Sequence, residues 1–279
     1  MIIAATEAAL TVETIEDPGD PRIAIYREAR DGPVRRTGLF LAESRFVVRR
    51  LLEGRRYPVR SMLATRAVLE DLRDALATRS AARIYEASAG TIRAVVGFKF
   101  HRGCLALGEA GPPLAIDGVL APAGPRLVLA LDELADPDNV GAVFRNAAAF
   151  GAAGLLLSPG SGDPLSRKAI RVSMGATLSI PFARADWRAG LAGLRAAGYT
   201  VVALTPDPRA PVVDAVVASL AASPRLALLL GAEGTGLSGA SRDAADLRMR
   251  IAMAPGVDSL NVATACGIAL HRLGRGAGA

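Results

Sequence analysis

Three short stretches of this chain carry residue types whose chemistry exceeds what folding alone asks for. The first is Asp138-Asn139-Val140-Gly141-Ala142-Val143-Phe144-Arg145-Asn146-Ala147. Arg145 borders the apolar face of a helical pattern. Such an arginine either snorkels to solvent or, beside a charged ligand, clamps a phosphate through two parallel N–H donors. The second is Leu230-Gly231-Ala232-Glu233-Gly234-Thr235-Gly236, directly after an apolar run at 226–230. The third is Met253-Ala254-Pro255-Gly256-Val257-Asp258-Ser259-Leu260-Asn261-Val262, which opens an apolar helical run ending near Leu273. Two glycine-rich turns this close in sequence build the wall of one small-molecule pocket from backbone N–H and C=O groups. A dinucleotide fingerprint would place Gly at 231, 233 and 236, early in its domain, with an acid about 20 residues on. Glu233 breaks that pattern and the stretch lies late. A plain tight turn and a wall around an adenosine-like ligand remain. Ser259 reads as the N-cap of the last helix, worth about 1 kcal/mol. Asn261 falls in the first turn of an otherwise apolar helix, where a buried amide needs partners.

The elements that must hold these residues alternate. In the second half, apolar strands are expected at 127–131, 155–157, 199–204, 226–230 and 247–253, with 178–182 extended. Between them, Asp138 or Asn139 caps a helix that turns Val140, Val143, Phe144, Ala147 and Ala148 inward and ends at Gly151. Helices are also expected at 165–174 and 187–197, the latter with Gly198 just past its end. Fully apolar strands separated by helices indicate a parallel sheet covered on both faces. Ligands then sit at the carboxyl ends of the strands, where Thr205, Gly231 and Met253 lie. The first half reads as a smaller α/β domain. Asp20 caps a helix starting at Pro21; strands are expected at 39–42, 59–63, 84–85 and 103–107; Ser44 opens a helix bearing Val47, Val48, Leu51 and Leu52, closed by Gly54. Thr65 caps a helix with Leu69, Leu72 and Leu76 on one side, and 89–96 is helical. Gly111-Pro112-Pro113 and Ala121-Pro122-Ala123-Gly124-Pro125 mark the linker.

At 279 residues and 51% hydrophobic, the chain suits two domains with a sizeable core. Its net charge of +6 points toward an acidic partner such as RNA. Arginine supplies nearly all of it, since Lys99 and Lys168 are the only lysines. Cys104 and Cys266 lack metal-ligand spacing and read as small buried hydrophobes, which suits a reducing, cytoplasmic setting. Glu7, Glu13, Glu16 and Asp17 stand where a signal peptide would be basic and then apolar. No apolar stretch reaches the roughly 18 residues of a membrane span.

Taken in order, Asn139 to Arg145, Gly231-Ala232-Glu233-Gly234 and Ser259-Leu260-Asn261-Val262 resemble the three motifs of the SpoU/TrmH RNA 2′-O-ribose methyltransferases. The match runs over roughly 125–273. The front half resembles, more loosely, the substrate-binding domain of ribosomal-RNA and thiostrepton-resistance members. Phe40-Leu41-Ala42-Glu43 before a Val/Leu helix and His101-Arg102-Gly103 carry that likeness, with Ser44 standing where such members have Gly. The resemblance implies a trefoil-knotted, dimerising C-terminal sheet and an N-terminal RNA-binding domain: 1–116 for RNA, 117–125 as linker, 126–279 for methyl transfer. It implies S-adenosylmethionine held among Gly231, Ile251 and Leu260, with Thr205 and Met253 nearby. Arg145 would activate or orient the ribose, with Asn139, Glu233, Ser259 and Asn261 holding it, the sugar and the methionine end of the cofactor. The expected substrate is RNA, ribosomal before transfer; the expected assembly is a homodimer without metal or membrane. A knotted methyltransferase acting on a base nitrogen and a catalytically silent RNA-binding assembly factor are the alternatives.

Overall fold

The computed structural model of the chain describes residues 11–27, 31–77, 82–96, 103–120, 126–221 and 223–273. His101 and Arg102, read above as part of the front-domain likeness, lie outside the described residues, as do residues 1–10. The chain divides into two compact units. One comprises Met1–Gly111 with Leu165–Ser179, the other Pro112–Pro164 with Ile180–Ala279.

The first unit is built on five strands: β1 (Val12–Ile15), β2 (Leu39–Glu43), β3 (Val59–Ala64), β4 (Arg83–Ala87) and β5 (Cys104–Glu109). They run β1-β4-β3-β5-β2 across the sheet. The pairs β1–β4 and β3–β4 are parallel, and β5 runs antiparallel to both β3 and β2. Ile15, Leu41, Leu63, Tyr85, Leu105 and Leu107 share one core with Ile92 and Val95 of the Ala89–Val96 helix. The helix Arg45–Glu53 buries Val47, Val48, Leu51 and Leu52, the spacing of one apolar stripe. Ser44 precedes it without a side-chain cap bond and at φ 83°, ψ 145°. That backbone is easy only for glycine, so the serine is held there at a cost. The segment Leu165–Ser179 joins this unit through charge as well as packing. Arg167 and Arg171 both reach the buried Glu43, at 2.9 and 3.3 Å, and the Arg167 backbone N–H donates to Asp31 at 2.7 Å.

The second unit carries six strands: β6 (Arg126–Asp132), β7 (Gly154–Leu157), β8 (Phe182–Arg184), β9 (Thr200–Leu204), β10 (Arg225–Gly231) and β11 (Leu247–Met249). Their order is β11-β9-β10-β6-β7-β8, with every pairing parallel. The expected apolar strands are therefore present, covered by helices such as Trp187–Ala196, whose Trp187, Leu191 and Leu194 enter the core. Strand order reverses between β6 and β10, the kind of switch point at which open α/β sheets bind ligands.

Several local expectations are corrected. The helix Pro137–Ala149 is capped by Asp136, not by Asp138 or Asn139: its carboxylate accepts from the Asp138 N–H, and Pro137 fills the first helical position, where no N–H is missed. Ala148 is exposed on that helix. The helix expected at 165–174 is confined to Arg167–Val172, and Leu178, the first residue of the stretch expected to be extended, closes a 3₁₀ turn over Ala176–Leu178. β11 stops at Met249, so Ile251 and Met253 lie in irregular chain. The last helix, Val262–Leu273, begins three residues after Ser259. Its cap is Asn261, whose Oδ1 accepts from the N–H groups of Ala263 and Thr264 at 2.9 and 3.3 Å. Within the expected linker, Asp117–Leu120 forms one helical turn that buries Val119 and Leu120. The helices Val213–Ala221 and Gly239–Ala244 were not foreseen.

Candidate active site

The carboxyl ends of β9, β10 and β11 enclose a cavity of about 760 Å³. Thr205, Gly231, Ile251, Met253 and Leu260 all line it, as do Glu233, Ser259 and Asn261. Eight of the ten residues singled out from sequence thus meet around one space. Its walls mix main chain and apolar side chains with three carboxylates (Asp207, Glu233, Asp258) and two guanidiniums (Arg242, Arg248). Asp207 is held down to about 2 by the hydrogen bonds that Arg209 donates to it, first from its side chain and then from its backbone.

The turn after β10 is shaped by closeness. A Cβ on Gly231 would fall 2.4 Å from the Gly236 carbonyl carbon and 2.5 Å from the Leu237 nitrogen. The chain folds back over this one Cα, the Gly236 N–H donating to the Ala232 carbonyl at 2.9 Å. Gly234 and Gly236 take positive φ, 83° and 67°, which lets the turn close.

Asn261 ties the three motifs together. Its amide nitrogen donates to Asn139 Oδ1 at 2.8 Å and to Glu233 Oε1 at 3.0 Å. The same side chain caps the last helix through its oxygen. Donor and acceptor ends are both in use, so the amide is fixed in orientation and cannot flip without losing both sets. Asn139 is buried and does not touch the cavity, so it acts as the anchor behind Asn261. A second tie, missed from sequence, is Asn146, whose Nδ2 donates to the Ala263 carbonyl at 2.7 Å. It faces Gly267, where a Cβ would stand 3.3 Å from it. Its signal was visible as an amide one residue beyond Arg145, on a helix rich in Ala.

Arg145 is set apart from these. It lies on the exposed side of the Pro137–Ala149 helix, does not line the cavity, and has no hydrogen-bond or ion-pair partner among the described residues. Ser259 is exposed and lines the cavity, but it caps nothing. Cavity residues that sequence reasoning overlooked include Asp207, Leu237, Arg242, Arg248 and Asp258. They are spread over loops, a helix and β11, and neither spacing nor type marks them out. Among the described residues no group of three or more His, Cys, Asp or Glu side chains could hold a metal, and no helix is long and apolar enough to cross a membrane.

Comparison with known proteins gives this geometry its context. The family model described as the SpoU rRNA Methylase family matches residues 126–271. A protein of Mycobacterium tuberculosis named as an uncharacterized tRNA/rRNA methyltransferase is 39% identical over 268 residues, spanning 94% of this chain and 91% of that one. A 23S rRNA (guanosine-2′-O-)-methyltransferase RlmB from Burkholderia is 33% identical over 70% of this chain and 78% of its own. The crystal structure of an AdoMet-bound rRNA methyltransferase from Sinorhizobium meliloti superposes with a TM-score of 0.81 at 26% identity, covering 95% of this chain and 98% of that one. Three motifs joined at Asn261, a family match over more than half of the residues and relatives alike over nearly the whole chain lead to one conclusion: the chain belongs to the SpoU rRNA methylase family.

Proposed function

We propose that this protein transfers a methyl group from S-adenosylmethionine to a ribose 2′-hydroxyl of ribosomal RNA, acting as a homodimer. The observation that carries the reading is the Asn261 amide, which binds Asn139 and Glu233 at once and so gathers three distant motifs at the mouth of one cavity. The donor group fits that cavity. Gly231, Ile251, Met253 and Leu260 offer main chain and apolar surface to a neutral adenine, Thr205 offers a hydroxyl, and the three carboxylates against two guanidiniums suit a ligand bearing a sulfonium. When bound, S-adenosylmethionine supplies an electrophilic methyl group for in-line attack by an oxygen.

The chain's own task is to present that oxygen and to place a phosphate oxygen where it can take the proton that the hydroxyl gives up. Arg145 is solvent-facing and unpaired among the described residues, so its charge is available to an RNA phosphate. A guanidinium stays protonated in proteins and holds phosphate bidentately. It therefore orients the ribose and its phosphate, and the phosphate oxygen assists removal of the hydroxyl proton. Glu233, Ser259 and Asn261 hold the ribose and the methionine end of the donor at the cavity mouth. Positioning of this kind lowers a barrier by several kcal/mol. The first unit, with its Arg-rich helices, supplies further affinity for RNA, which falls steeply as salt rises.

The deciding experiment is digestion of RNA methylated by the protein with labelled donor. A ribose methyl leaves the adjoining linkage resistant to alkali, so the label is expected in an uncut dinucleotide. Label recovered in single nucleotides would move the assignment to a base nitrogen, label in transfer RNA alone would move the substrate, and no incorporation into either RNA would favour an assembly role.

A further inference from the structure

The cavity does not explain a buried carboxylate beneath it. Asp132 ends β6 and is 1% exposed, directly opposite Gly231 of β10 in the sheet register. Its Oδ2 accepts two hydrogen bonds, from the Ser238 backbone N–H at 2.7 Å and from the Ser241 hydroxyl at 2.6 Å. Ser241 Oγ in turn accepts from the indole N–H of Trp187 at 2.9 Å. Oδ1 has no partner among the described residues. A buried oxygen left alone is unusual, and an apolar residue at this site would avoid it. A carboxylate is retained where its charge-assisted bonds hold something in place.

What it holds is the far end of the turn that walls the cavity. That turn starts at Gly231, carries Glu233 and folds back so that Gly236 and Leu237 lie against the Gly231 Cα. Ser238, the next residue, is the one Asp132 grips. Asp132 thus adds to the ties that close this loop, namely the packing at Gly231, the Gly236 N–H bond to the Ala232 carbonyl and the Arg242 side-chain bond to the Leu237 carbonyl. Glu233, carried on this loop, accepts a hydrogen bond from Asn261 at 3.0 Å.

We propose that Asp132 is a positioning residue for the donor site, acting through Ser238 and Ser241 to fix the 231–237 loop. The inference rests on reading the cavity as the site of S-adenosylmethionine. Trp187 is the one tryptophan of the chain, and its N–H bonds to this chain of groups, so its emission reports their state directly.

The test measures S-adenosylmethionine affinity by calorimetry and Trp187 emission in the full-length protein. Asp132→Ala, folded by circular dichroism, is expected to bind at least about 10-fold more weakly, since both bonds are lost. Asp132→Asn keeps an acceptor for both donors but loses their charge, and is expected to be about 3-fold weaker. Ser241→Ala frees the indole N–H and is expected to shift Trp187 emission together with an about 3-fold loss of affinity. Folded Asp132→Ala with unchanged affinity and emission overturns the proposal. If that variant does not fold, Ser241→Ala and Asp132→Asn decide: wild-type affinity in both also overturns it. Leu260→Arg is the control for the cavity. Binding abolished there while the Asp132 variants bind normally sinks the positioning role alone. Binding retained by Leu260→Arg removes the cavity as the donor site, and this proposal with it.

Discussion

The two units differ in where their polar side chains meet. In the second, Asn139, Asn261 and Glu233 are bonded in one cluster although 122 and 28 residues separate the partners. In the first, arginines are chiefly paired with acids at the surface, as in Arg22 with Glu13 and Asp20 or Arg49 with Asp74 and Glu53. Exposed pairs of that sort contribute little to stability. Convergence that lines a cavity marks where chemistry is placed, whereas the long-range tie of Arg167 and Arg171 to the buried Glu43 in the first unit holds the fold; scattered surface pairs mark a solvated face that can exchange its partners for phosphate. Substitutions in the second unit are therefore expected to damage turnover or donor affinity while leaving the fold intact. Those in the first are expected to alter stability or RNA affinity while leaving chemistry alone.

The largest effect tests this contrast at Arg145. Arg145→Ala is expected to lower kcat by about 10³-fold, as removal of one positioned charged donor does, with S-adenosylmethionine affinity by calorimetry unchanged. Comparable turnover would place the chemistry elsewhere. Gly231→Ala comes next. Its methyl would sit 2.4 Å from backbone that cannot move without opening the turn, so donor affinity should fall about 10-fold or more. Wild-type affinity would mean the turn is not part of the donor site. Asn261 separates two roles of one side chain. Asn261→Ala should cost about 10²-fold in kcat and about 1 kcal/mol of stability from the lost cap. Asn261→Ser should restore the cap but not the rate, since serine does not reach both Asn139 and Glu233. Recovery of both by serine would reduce Asn261 to a cap. The smallest effect lies in the first unit. Ser44→Gly relieves a backbone at φ 83° and should stabilise it by about 1 kcal/mol, read as a rise in melting temperature, with methylation unaltered. A change in turnover there would break the contrast.

The sheet of the second unit was readable because its central strands are largely apolar and bounded by Gly, Pro or Asp, a pattern set locally. Caps were not. In Asp136-Pro137-Asp138-Asn139 three residues can cap, and the choice falls to Asp136 because Pro137 suits the first helical position. Ser259 and Asn261 are equally competent by type; Asn261 takes the role because its nitrogen is claimed by Asn139 and Glu233 across the fold. The helix Val213–Ala221 escaped notice because a run of Val and Ala reads as strand or helix alike. Asp132 was visible only as the acid ending an apolar strand, and its partners at 238 and 241 follow from the return of the chain, which no spacing announces.

The short helical segment Leu165–Ser179, lying in sequence between β7 and β8 yet counted with the first unit, has a consequence for building with this protein. The chain passes from one unit to the other three times, after residues 111, 164 and 179. A chimera or a truncation cut once near residue 111 would strand Arg167 and Arg171 without Glu43 and bare the side chains of Ala169 and Ile170. The two halves are therefore not modules on a string. Recombination between relatives would have to exchange the first unit together with this internal segment, so the two stretches are bound to be inherited as a pair.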